Sequence, residues 1–227
     1  MAIINGVIAF IIFLIPAIDP SQAAPESGNP PLDVMALTLF FFFAVIFGSI
    51  GMVILAQDEV IQEKQSGTAA WILSKPVSRP AFILAKLLSN VVGGLIFIVA
   101  LPALVIVGEV YLAAQHGVPI LPFLMGLGAV LLTIYFYLCL TVMLGVLFQQ
   151  RGPGLGIAFG VMLGGLTTVN FVPQIAFVLP VQMHQISFTL AQGQPLPPPA
   201  IYEIVSTAIL SLLFIVVALW RFEREEF

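Results

Sequence analysis

Apolar residues along this chain fall into long blocks separated by short polar segments. A helix that crosses the hydrocarbon of a bilayer needs about 20 mainly apolar residues. Five blocks qualify: 34–56, 88–108, 121–148, 155–179 and 201–220. The first four contain no Asp, Glu, Lys or Arg, and the fifth contains only Glu203, near its start. Residues 3–17, "IINGVIAFIIFLIPA", form a shorter sixth block. A cleaved signal peptide wants positive charge before its apolar core. "MAIING" has none, so a short first span is expected there. The pattern predicts an all-α integral membrane protein with a single transmembrane domain over 1–227. Its six transmembrane helices are placed near 3–17, 34–56, 88–110, 121–148, 155–172 and 201–220.

Composition agrees with that pattern. The 227 residues are 60% hydrophobic and only 8% charged, where a soluble domain carries about 25% charged residues. The largest polar segment, 57–87, is too small for an independent core.

Charge then sets the orientation. Lys and Arg occur at 64, 75, 79, 86, 151, 221 and 224 and nowhere else. They occupy the connections at 57–87 and 149–154 and the tail from 221. The connections at 18–33, 112–120 and 180–200 have none. Positive residues stay on the cytoplasmic side of short loops. Six spans then fit with both termini cytoplasmic.

Two segments depart from plain spans. Gly152, Gly156, Gly160 and Gly164 recur every four residues. On a helix they share one face, and small-xxx-small faces let membrane helices approach closely. Gly156, Gly160 and Gly164 are therefore helix-packing candidates. After them, Pro173 and Pro180 interrupt an apolar segment too often for one straight helix. Non-helical backbone at membrane depth must be buried in protein or line water. A broken, re-entrant or interfacial outer segment is expected between spans five and six, with a plain outer loop as the alternative. Asn170 and Gln174 are the clearest polar groups inside the span-five region, as interhelical hydrogen bonders or as polar groups along a pathway.

The chemistry that is missing narrows the function. A phosphate-binding loop ends in Gly-Lys-Ser/Thr, but the three lysines precede Gln65, Pro76 and Leu87. His116 and His184 lie far apart and form no HExxH pair. Cys139, the single cysteine, reads as a small buried hydrophobe. No catalytic group, metal site or nucleic-acid partner is expected. Ion-coupled transporters keep ionisable residues inside the membrane, and here Glu109 and Glu203 stand near outer span ends. Each either faces an outer vestibule or marks the membrane boundary.

The connection "EKQSGTAAWILSKPVSRPAFILAK", Glu63–Lys86, carries four of the seven cations. Span two is expected to continue as helix into "QDEVIQEK". Ser66 suits the N-cap of a short apolar helix over "GTAAWILS". Pro76 stops that helix, and Ser78 caps the next, with Pro80 tolerated in its first turn. The product is a short amphipathic helix tied to spans on both sides. It either rests on anionic lipid or docks into a soluble partner.

These same residues resemble the signature of ABC type-2 transporter permeases. Glu63-Lys64-Gln65-Ser66-Gly67-Thr68, Trp71-Ile72-Leu73, Pro76-Val77-Ser78-Arg79 and Lys86 carry the resemblance, closely over 59–88. The resemblance implies the membrane subunit of an ATP-binding-cassette exporter in a prokaryotic plasma membrane. Its cytoplasmic coupling helix, between spans two and three, would dock on a separate ATPase subunit through Glu63, Gly67, Thr68, Trp71, Pro76 and Arg79. A second permease copy or paralogue would complete the transporter. ATP and Mg would bind the partner ATPase, so this chain is no enzyme by itself and carries no cofactor. The alternative is a passive channel or membrane scaffold.

Overall fold

A computed structural model describes residues 2–18, 30–66, 68–74 and 78–224. The elements are α1 (Ala2–Ile18), α2 (Leu32–Gln65), α3 (Thr68–Leu73), α4 (Arg79–Gly93), a π-helical stretch (Gly94–Ala100) and α5 (Leu101–Ala114). They continue as α6 (Ile120–Leu147), α7 (Arg151–Thr168), a 3-10 turn (Pro173–Phe177), α8 (Met183–Ala191) and α9 (Pro198–Glu223). No strand occurs among the described residues.

Among the described residues, four helical segments are long and apolar enough to cross a membrane: Leu32–Glu63, Arg79–Ala114, Ile120–Leu147 and Pro198–Glu223. α1 is 17 residues long. The 18 residues of α7 include Arg151 and six glycines and are less apolar. α2 does continue through "QDEVIQEK" to Gln65, over 34 residues. At a rise of 1.5 Å per residue it is about 51 Å long, about 20 Å more than the hydrocarbon thickness. The segment between α7 and α9 is broken, into the 3-10 turn and α8.

Local chemistry explains several boundaries. Ser78 has extended backbone and its Oγ accepts the Ala81 N–H, with Pro80 in the first turn of α4. Pro102 lacks an N–H, and its ring crowds the carbonyl four residues back, at Ile98. The helix widens into its π-helical stretch just before that proline. Asn5 of α1, buried, donates from Nδ2 to the Pro102 carbonyl at 2.9 Å.

The described residues form two compact units. The first comprises 1–48, 95–131 and 183–196, and the second 49–94, 132–182 and 197–227. In the first, Phe40, Phe41 and Phe123 form an aromatic core with centroids 5.3–6.2 Å apart. Gly126 of α6 admits α8 so closely that a Cβ there would sit 2.5 Å from the Ser187 carbonyl oxygen. In the second unit the core is built on Val53, Phe136, Tyr137, Leu140, Leu144, Ala158 and Met162. Gly165 of α7 plays the matching part, since a Cβ there would meet Val181 Cγ1 at 2.6 Å.

Candidate functional site

At one end of the second unit the C-terminal end of α2, the first turns of α4, the α6–α7 turn and the C-terminal end of α9 are joined. Three tethers fix this end. Glu63 Oε1 pairs with Lys86 Nζ at 2.6 Å, joining α2 to α4. Gln65 Nε2 donates to the Gln149 carbonyl at 2.9 Å, joining α2 to the α6–α7 turn. Arg79 Nη1 donates to the carbonyls of Glu223 at 3.0 Å and Phe222 at 3.4 Å, joining α4 to α9.

The Arg79 tether follows from helix physics. The last four carbonyls of a helix lack intrahelical partners, and that end carries partial negative charge that favours a cation. Arg79 supplies both the donor and the charge. Beside it Phe82 and Phe222, both buried, stack at 5.4 Å with an interplanar angle of 2°. Such aromatic pairs contribute about 1 kcal/mol beyond their buried area. The Glu63–Lys86 pair is three-quarters buried on both sides. The second Glu63 oxygen is buried without a partner among the described residues.

α3 stands at this tethered end. Thr68 begins it, with Oγ1 2.8 Å from Ser66 Oγ, and Ser66 Oγ also accepts the Thr68 N–H at 3.4 Å. Ser74 Oγ donates to the Trp71 carbonyl at 2.7 Å and closes the helix. Trp71 is 66% exposed. An exposed large aromatic suits recognition, because aromatic residues are enriched in interface cores. Gly67 and Pro76, both expected in the coupling region, lie outside the described residues.

The remaining candidates stand elsewhere. A Cβ added at Gly156, Gly160 or Gly164 would meet nothing within 4 Å. Within the chain these glycines admit no neighbour, and the close approach on α7 is at Gly165 instead. Asn170 is exposed and donates to Leu166 and Thr167 carbonyls of its own chain turn, each at 3.3 Å. It caps α7 rather than bridging helices. Gln174 is exposed on the 3-10 turn.

A second polar arrangement lies near the N-terminal end of α9. Glu203, only 2% exposed, accepts the Gln182 N–H on Oε1 at 2.7 Å. Thr207 donates to the Glu203 carbonyl at 2.6 Å and Ser211 to the Thr207 carbonyl at 2.7 Å. All three side chains are buried. The four-residue spacing of Glu203, Thr207 and Ser211 was visible in the sequence, and it marks the inward face of α9. Glu203 is thus turned into the chain, where it holds the broken segment to α9. Phe177 meets Tyr202 edge-on at 5.9 Å. With Val205, Ser206 and Ile209 they line an open, mainly apolar groove of about 510 Å³.

Among the described residues no three His, Cys, Asp or Glu side chains gather in a way that would hold a metal ion. The family model described as "Protein of unknown function (DUF2705)" matches residues 6–227, and the chain belongs to that family. No curated protein matches it.

Proposed function

We propose that this DUF2705 member is the membrane subunit of an ATP-binding-cassette exporter. α3 is its coupling helix, docking on a separate ATPase that binds ATP and Mg. α1 and α7 complete six spans: their 17 and 18 residues lie at the short end of the range for a crossing helix. All seven cations then lie on the cytoplasmic side with both termini. The broken segment from 169 to 197 lies at the outer surface. A second permease copy completes the pathway.

The observation that carries this reading is the mounting of α2 and α4 on either side of α3. Their ends are held by Glu63–Lys86, Gln65–Gln149 and Arg79 on the α9 carbonyls. A push that α3 passes to either neighbour enters a helix tied to others of the second unit. The mounting also refines the roles expected of the coupling residues. Glu63 and Arg79 hold the platform, and Thr68 and Trp71 belong to the surface it presents.

The test is affinity purification of the chain from its native membrane. The expected result is co-purification of a phosphate-loop ATPase that is lost in Trp71→Ala while the variant still inserts. Equal recovery of the ATPase with Trp71→Ala removes the docking role of α3. Substrate-selective flux in liposomes without ATP favours a passive channel.

A further inference from the structure

We propose that α9 couples the α3 platform to the broken segment at its other end, with Arg79 and Glu203 as the positioning residues. The functional meaning of this coupling rests on the docking reading above, but the coupling itself is a property of the chain.

Near its C-terminal end, α9 is gripped by Arg79 on the Phe222 and Glu223 carbonyls and by the Phe82–Phe222 stack. Near its N-terminal end, Glu203 holds the Gln182 backbone N–H, and Tyr202 meets Phe177 of the 3-10 turn. Glu203 and Phe222 lie about 28 Å apart along the helix at 1.5 Å rise per residue. Pro198 and Pro199 stand at its start, and no proline follows. The helix between the grips therefore keeps an unbroken hydrogen-bond ladder. Between the grips α9 buries one face, where Leu210 and Phe214 pack on the second unit's core, and only 22% of its most apolar window is buried. A stiff rod held at two ends passes displacement along its axis. Both grips use directional hydrogen bonds to backbone, so they transmit a shift that loose apolar contacts would absorb.

Coupling between two grips is reciprocal. Hydrogen–deuterium exchange of the full chain in lipid nanodiscs reads it without a substrate or an ATPase. Arg79→Gln should speed exchange of a peptide containing Gln182 at least about tenfold, although Gln182 lies far from Arg79. Glu203→Gln should speed exchange in the first turn of α4 by a similar factor. The double variant should show less than the product of the two effects, as coupled sites do. Arg79→Lys, which keeps charge and donor, should restore slow exchange at Gln182. Peptides from 154–160 of α7 should be unchanged in every variant.

Acceleration confined to the mutated end overturns the proposal, as does uniform acceleration that includes α7. If Arg79→Gln does not fold, Phe82→Leu loosens the same grip more gently and carries the same expectation. Loss of ATPase association is a separate measurement, so failure of docking and failure of coupling are told apart.

Discussion

Gly126→Ala tests the packing of the first unit through a change of one methyl group. The new Cβ would lie 2.5 Å from the Ser187 carbonyl oxygen, 2.9 Å from Phe41 Cζ and 3.0 Å from Ala191 Cβ. The Phe41 ring can tilt, but the Ser187 oxygen belongs to the backbone of α8 and moves only with that helix. Overpacking of this kind costs about 1–3 kcal/mol. Against it stands the helix propensity of Ala over Gly, about 1 kcal/mol in its favour. With a backbone obstacle the steric side wins, and net destabilisation of up to about 2 kcal/mol is expected. Gly128, two residues along α6, is the internal control. A Cβ there would meet nothing within 4 Å, so Gly128→Ala should be neutral or stabilising by up to about 1 kcal/mol. Equilibrium unfolding of the purified protein by SDS titration in mixed micelles gives both values. Equal effects of the same sign from the two substitutions would refute the close α6–α8 contact.

Three further outcomes follow from the polar groups. Lys86→Met leaves the Glu63 carboxylate, three-quarters buried, without its cation and should cost about 1–2 kcal/mol; exchanging the two (Glu63→Lys with Lys86→Glu) should recover part of it in a double-mutant cycle. Burial pushes the pKa of His184 below its ordinary 6.5, so the unfolded state takes up the proton first. The His184 contribution is constant above about pH 7 and turns unfavourable as pH falls through 6.5. Thermal unfolding should then fall less steeply between pH 7 and pH 5 in His184→Gln than in the native chain; identical slopes would count against it. Glu203→Ala strands the Gln182 N–H and should destabilise the second unit by about 1–3 kcal/mol, whereas an unchanged midpoint would mean that the Glu203 bond contributes nothing.

Signals confined to a few neighbouring residues were legible in the sequence. The Ser78 cap, Pro80 in the first turn, the run of α2 into "QDEVIQEK" and the break between α7 and α9 all follow from local propensity and proline chemistry. Long-range partners were not. Arg79 bonds carbonyls 143 and 144 residues away, and backbone acceptors leave no mark in a sequence. The period of Gly156, Gly160 and Gly164 defines a face but not what lies against it, and within the chain the tightest glycine contacts fall at Gly94, Gly126 and Gly165. Pro102 was the available sign of the π-helical stretch, yet proline alone does not say whether a helix kinks, breaks or widens. Glu203 stood out as the one charge in its block, but its backbone partner at Gln182 left no mark there.

Docking of α3 on an ATPase is the central claim, and Trp71 is the place to measure it. A photo-crosslinking phenylalanine analogue placed at position 71 in native membranes should capture a protein whose peptides include a phosphate-binding loop, and competition by a peptide spanning 63–79 should reduce the yield. Capture of lipid alone, or of no phosphate-loop ATPase, would contradict the account.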